Sequence, residues 1–137
     1  MLDTSVLVAA LRSDRGASYA LVSSIPSPRF QIVLSIALYT EWRDVLSRPE
    51  HILPGRAVED VHGFLRYLAS QAHLQEIHFL WRPCLPDPDD DMVLELAFAA
   101  GCSYIVTHNV IDFEGSRQLG VLALSPAAFL QTIRSPS

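Results

Sequence analysis

The chain predicts an α/β fold built around a mostly parallel sheet. Short apolar stretches of strand length alternate with segments of helical spacing along its whole length. The run Tyr104-Ile105-Val106 is continuously apolar at its centre, as expected of a strand buried on both faces of a parallel sheet. At 137 residues, half apolar and 18% charged, the chain is globular and is expected to form one domain over residues 1–137.

The elements follow in order. Leu2-Asp3 closes a first strand of about three residues, shorter than the usual five or six, so that strand is either a stub or a clipped start. A helix then runs from Thr4 through Leu11, and the apolar residues of Asp14–Ile25 predict a second. Pro26 and Pro28 make a loop, because proline removes a backbone donor and biases the residue before it to extended geometry. Phe30–Leu34 reads as a strand. Ser35 reads as the N-cap of a helix to Ser47, which Pro49 ends. Arg56–Gln71 places Val58, Val61, Phe64, Leu65 and Leu68 at helical spacing, and Leu74–Trp81 suits a strand. After a proline-containing loop, a helix runs to Ala100 with Gly101 past its end. Ser103–Thr107 is a strand, and His108–Gln118 is irregular with one helical turn. Val121–Leu124 is the last strand, and Ser125-Pro126 opens the last helix.

Composition narrows the function. The longest apolar runs fall far short of the ~20 residues of a membrane span, and no signal peptide opens the chain, so a cytoplasmic protein with no membrane partner is expected. Two cysteines, Cys84 and Cys102, make no disulfide framework and fit a reducing compartment. A net charge of −5 argues at first against a nucleic-acid partner, yet all ten basic residues are arginine, the residue that grips phosphate bidentately and stacks on bases. The five histidines show no zinc spacing, and no phosphate-loop, dinucleotide or nucleophile-elbow motif is present.

The acids are the chemically informative residues. Asp87, Asp89, Asp90 and Asp91 put four carboxylates within five positions at the start of a helix. One or two acids there would serve the helix dipole, and four exceed that need. In a parallel sheet the ligand site lies beyond the carboxyl ends of the strands. Asp3, Asn109 and Asp112 fall at such ends, and Glu41 lies on the flank of the apolar face formed by Leu38, Trp42, Val45 and Leu46. Capping or turn roles compete for Asp3 and Asn109, and an arginine-paired surface role competes for Glu41. Carboxylates gathered without a lysine favour a hard divalent cation such as Mg²⁺ or Mn²⁺. Such an ion activates water and neutralises phosphate charge, the requirement of phosphodiester hydrolysis.

These residues, in this order, resemble the PIN-domain ribonucleases, in particular the bacterial toxins of toxin–antitoxin pairs. The matching stretches are Leu2-Asp3-Thr4-Ser5-Val6-Leu7-Val8, the run from Tyr39 through Glu41 to Pro49, Asp87 to Ala97, Tyr104 to Phe113, and Ser125 to Leu130. The resemblance covers nearly the whole chain. It implies a three-layer α/β/α sandwich and Mg²⁺- or Mn²⁺-dependent cleavage of single-stranded RNA. It also implies a homodimer and a cognate antitoxin as partners. The family's first acid falls on Asp3, its second on Glu41, and its third in the aspartate run, on Asp90 with Asp91 next. Its fourth position holds Asn109 here, and Asp112 three residues on supplies the alternative carboxylate. Ser5 stands where the family most often has the asparagine that orients the first aspartate. Thr4, Ser5, Thr107 and Asn109 are the expected orienting or substrate-contacting residues, and Arg12, Arg15 and Arg48 the expected guides of the RNA backbone.

Two readings compete with an active nuclease. Asn109 and the short first strand favour a catalytically weakened PIN-like module that binds RNA or a protein partner without cutting. A phosphoryl acceptor at Asp3 would require a lysine to neutralise the phosphoryl group, and the chain has none.

Overall fold

The computed structural model describes residues 1–77 and 88–134, leaving aside the side chains of Pro88, Asp89 and Asp91. The α/β alternation is present. Helices α1 (Thr4–Arg12) and α2 (Ala17–Ser23) come first, followed by β1 (Val33–Leu34), α3 (Ile36–Leu46) and α4 (Val58–Gln71). Then come β2 (His73–Leu74), α5 (Pro88–Ala99), β3 (Tyr104–Val106), β4 (Leu122–Leu124) and α6 (Pro126–Arg134). A 3₁₀ turn at Pro49–His51 follows α3, and a longer 3₁₀ segment, Val110–Leu119, joins β3 to β4.

All the strand pairing within these elements is parallel. β1 pairs with β2 through Val33–His73 and Leu34–Leu74, and β3 pairs with β4 with Ile105 opposite Ala123. Leu2 forms a parallel bridge to Val106, where the Asp3 N–H donates to the Val106 carbonyl (2.9 Å) and the Val106 N–H to Met1 (2.8 Å). β3 is therefore the middle of three extended segments, and Asp3 ends one edge of it. Leu2, Ile105 and Val106 are all buried, which is why this part of the sheet reads as unbroken apolar sequence.

Helix ends follow local chemistry. The Ser35 hydroxyl accepts from the Leu38 N–H (3.1 Å), and the Ser125 hydroxyl accepts from the Ala128 N–H (3.1 Å), as N-cap residues do. The Asp60 carboxylate accepts from the Ala57 N–H at the start of α4 (2.9 Å). Past α5, Gly101 takes φ +69°, the Cys102 N–H donates to Ala97 (2.8 Å), and the Gly101 N–H donates to Phe98 (3.1 Å). This pair of bonds is the Schellman arrangement, and it turns the chain directly into β3. α5 is buried from Val93 through Ala97 without a break, so it is the interior helix, packed on β1, β3 and α3.

Several boundaries differ from the sequence expectation. The second helix starts at Ala17 and stops at Ser23, and it buries Ser18, Leu21 and Val22 while Tyr19 is turned outward. The expected Phe30–Leu34 strand keeps only Val33–Leu34, and the helix expected from Arg56 begins at Val58. Of the expected Leu74–Trp81 strand only Leu74 belongs to β2, which ends there; residues 75–77 are not strand, and 78–81 lie outside the described residues, as do Cys84 and Asp87. The segment expected to be irregular with one helical turn is 3₁₀ over Val110–Leu119, broken at Phe113 (φ −108°, ψ 16°). Phe113 is fully buried there, and the buried Ser116 hydroxyl donates to the Val121 carbonyl (2.7 Å). Tertiary anchoring of two side chains holds this stretch, which local propensity alone would not.

Candidate active site

Asp3 sits where the first extended segment ends and α1 begins. Its backbone is extended (φ −72°, ψ 150°), and its side chain makes no capping bond to the helix. The carboxylate is instead held by two hydroxyls. Ser5 Oγ and Thr107 Oγ1 each donate to Asp3 Oδ2 at 2.8 Å. Each hydroxyl also accepts a backbone N–H from the loop after β3: Ser5 Oγ from His108 (3.1 Å) and Thr107 Oγ1 from Asn109 (3.0 Å). Two parallel relays therefore fasten one carboxylate oxygen to the chain that leaves β3. Asp3 is buried, and bonds of this kind are what a buried carboxylate requires.

Glu41 reaches the same corner from α3. Thr4 Oγ1 donates to Glu41 Oε2 at 2.6 Å, within the range of a hydroxyl donating to an ionised carboxylate. Glu41 is half-buried on the flank of the face that buries Leu38, Trp42 and Leu46, as the helical spacing of α3 predicts. Its partner, 37 residues away in sequence, is the threonine adjacent to Asp3, so the bond brings α3 to the start of α1.

Asp90 lies half-buried in the first turn of α5, and Asp91 follows it with its side chain outside the described residues. Asn109 and Asp112 are exposed after β3. The Asn109 side chain makes no cap bond, and the Asp112 N–H donates to the Asn109 carbonyl (3.0 Å). Among the described residues, no three His, Cys, Asp or Glu side chains gather closely enough to hold a metal ion. The donor chemistry of the Asp3–Glu41 corner is nonetheless that of a hard cation, with carboxylate and hydroxyl oxygens and no sulfur.

One further residue belongs to this region and escaped the sequence reading. Ser18 on α2 is buried, and its hydroxyl lies 2.6 Å from His108 Nε2, so the loop after β3 is tied to α2 as well as to α1. The spacing Ser18, Leu21, Val22 is the signal, since it puts the serine on the core face.

No curated protein and no solved structure matches the chain significantly. A family model described as "PIN domain" matches residues 1–111, a span that takes in Asp3, Glu41, the aspartate run, Thr107 and Asn109. PIN domains are α/β folds and are generally metal-dependent nucleases. With an α/β chain, parallel pairing around β3, an oriented aspartate at the first strand end and a match over most of its length, this protein belongs to the PIN-domain family.

Proposed function

We propose that the chain is a metal-dependent endoribonuclease that cleaves single-stranded RNA. The observation that carries this reading is the oriented acid pair. Asp3 is fixed through Oδ2 by Ser5 and Thr107, and Glu41 is brought beside it by Thr4. Both bonds to Asp3 use Oδ2, so Oδ1 is the oxygen available to a cation. Asp3, Glu41 and Asp90, with Asp91 and Asp112 assisting, would hold Mg²⁺ or Mn²⁺. The ion supplies water activation and charge neutralisation at the scissile phosphate. The residues of the chain position the acids and exclude alternative rotamers. Ser5 does so in the place of the family's usual asparagine, with a hydroxyl that both donates to Asp3 and accepts from His108.

The finer reading is a bacterial toxin, cytoplasmic and dimeric, restrained by an antitoxin made beside it. The similarity of the five sequence stretches to such toxins supports it. Expression of the chain alone and together with the product of an adjacent gene tests it. Growth arrest relieved by the second protein is expected, and growth indifferent to both counts against it.

A second reading has its own support. Asn109 replaces the family's fourth acid, and a third carboxylate is not gathered with Asp3 and Glu41 among the described residues. A PIN module that binds RNA or a protein without cutting fits those facts. Incubation of single-stranded RNA with Mn²⁺ and wild-type, Asp3→Asn, Glu41→Gln or Asp90→Asn protein separates the two. Cleavage by wild type and loss of at least a hundredfold in the variants is expected. RNA bound but left intact by wild type would establish the non-cutting module.

A further inference from the structure

A cleft among the described residues lies away from the acid pair. It is about 600 Å³ in volume, between the C-terminal end of α1, the start of α2, the 3₁₀ turn after α3 and α4. Three of the chain's ten arginines, Arg12, Arg15 and Arg56, line it. None of the three makes an ion pair or side-chain hydrogen bond among the described residues, where Arg48–Asp44 is the ion pair formed. Two acids, Asp14 and Asp60, share the lining, so the three arginines leave it a small positive excess, and the Asp60 carboxylate is held at the start of α4 by the Ala57 N–H. His51 also lines the cleft, and its Nδ1 is buried with no hydrogen-bond partner. Tyr19, 44% exposed, and Phe64 add aromatic surface.

Unpaired guanidinium groups beside an exposed aromatic ring and an apolar floor match a nucleotide strand, which offers phosphates to arginine and base faces to rings. In a chain of net charge −5, a local excess of positive charge is where a polyanion would settle. The acid pair and this cleft lie at opposite ends of α1, whose Thr4 and Arg12 are ~12 Å apart along the helix axis. We propose that the cleft is a second RNA-binding surface. It grips single-stranded RNA beyond the cleavage position, with Arg12, Arg15 and Arg56 on phosphates and Tyr19 against a base. The inference rests on the ribonuclease reading for its choice of polyanion, but its test does not depend on cleavage.

The test is fluorescence anisotropy with a labelled single-stranded oligoribonucleotide in EDTA, where no cutting occurs. Wild type is compared with an Arg12→Gln/Arg15→Gln/Arg56→Gln variant and with Tyr19→Ala, each checked for fold by circular dichroism. The triple variant is expected to bind at least tenfold more weakly. The slope of log affinity against log salt is expected to shrink by about 2, at ~0.7 for each phosphate of a single strand that an arginine ceases to neutralise. Tyr19→Ala is expected to lose on the order of tenfold with its salt slope unchanged, because stacking is uncharged. Arg134→Gln, an exposed arginine outside the lining of the cleft, is the reference that should bind as wild type does. Unchanged RNA affinity and slope in the folded triple variant would overturn the proposal. So would loss of binding to an oligoglutamate peptide with RNA binding intact, which would make the cleft a protein-docking surface. Arginine-dependent binding by a wild type that cuts no RNA would uphold the cleft and remove the nuclease reading.

Discussion

At the scale of the residue, the site depends on small hydroxyls rather than on charge. Asp3 Oδ2 takes two donors, and each donor hydroxyl is itself fixed by a backbone N–H of the loop after β3. Ser5→Ala removes one donor from a buried carboxylate and one acceptor from His108. A hydrogen bond to a charged group is worth ~1.5–3 kcal/mol, so a tenfold to hundredfold fall in RNA cleavage is expected, with Ser5→Asn retaining more activity than Ser5→Ala. Equal cleavage rates in Ser5→Ala and wild type would show that the bond to Asp3 does not position it. Thr4→Val leaves Glu41 Oε2 without the Thr4 hydroxyl, and a comparable loss is expected in Mn²⁺-dependent turnover. The carboxylates were legible in the sequence as candidates because acids are rare beside apolar faces. The identity of the hydroxyls that aim them was only partly legible, since serine and threonine serve equally as caps, turns and surface residues.

At the scale of the element, α5 and its exit hold β3 in place. Gly101 at φ +69° meets no neighbouring atom within 4 Å of an added Cβ, so the cost of replacing it is purely conformational. Gly101→Ala is expected to destabilise by ~1–2 kcal/mol, read as a lower urea midpoint with an unchanged m-value. Leu94 is fully buried in the same helix, and Leu94→Ala is expected to cost ~2–5 kcal/mol in the same measurement. A loss below ~1 kcal/mol for Leu94→Ala would mean that α5 is not the interior helix. Helices with strong periodicity, such as α3 and α4, were legible to within about two residues. The segment after β3 was not, because its conformation is set by the burial of Phe113 and Ser116 rather than by its own spacing.

At the scale of the whole molecule, the first residues are woven into the sheet. The Met1 ammonium donates to the Tyr104 carbonyl (3.2 Å) and is buried. Burial lowers its pKa from the ordinary 8.0, against a smaller raising effect of the neighbouring Cys102. Between the lowered folded pKa and 8.0 the unfolded chain binds the extra proton, so this group makes stability rise with pH up to about 8 and has no effect above it. The ¹⁵N resonance of the Met1 amine is expected to titrate below 8.0 in the folded chain, and titration at or above 8.0 would contradict its burial. Among the described residues, no helix is long and apolar enough to cross a membrane, in keeping with the composition.

By itself the sequence determined the α/β alternation, the candidate acids Asp3 and Glu41, and the capping residues Ser35, Ser125 and Gly101. These are local matters, decided by spacing, propensity and charge within a few residues. Tertiary structure alone decided that Thr4 reaches Glu41, that Ser5 and Thr107 share one oxygen of Asp3, and that Ser18 meets His108. Those pairs are between 2 and 104 residues apart in sequence. The longer contacts exist because β3 lies between the first extended segment and β4, which brings the start of the chain to the strand after α5. The arginine cleft arose in the same way, from helix ends that come together only when the sheet is formed.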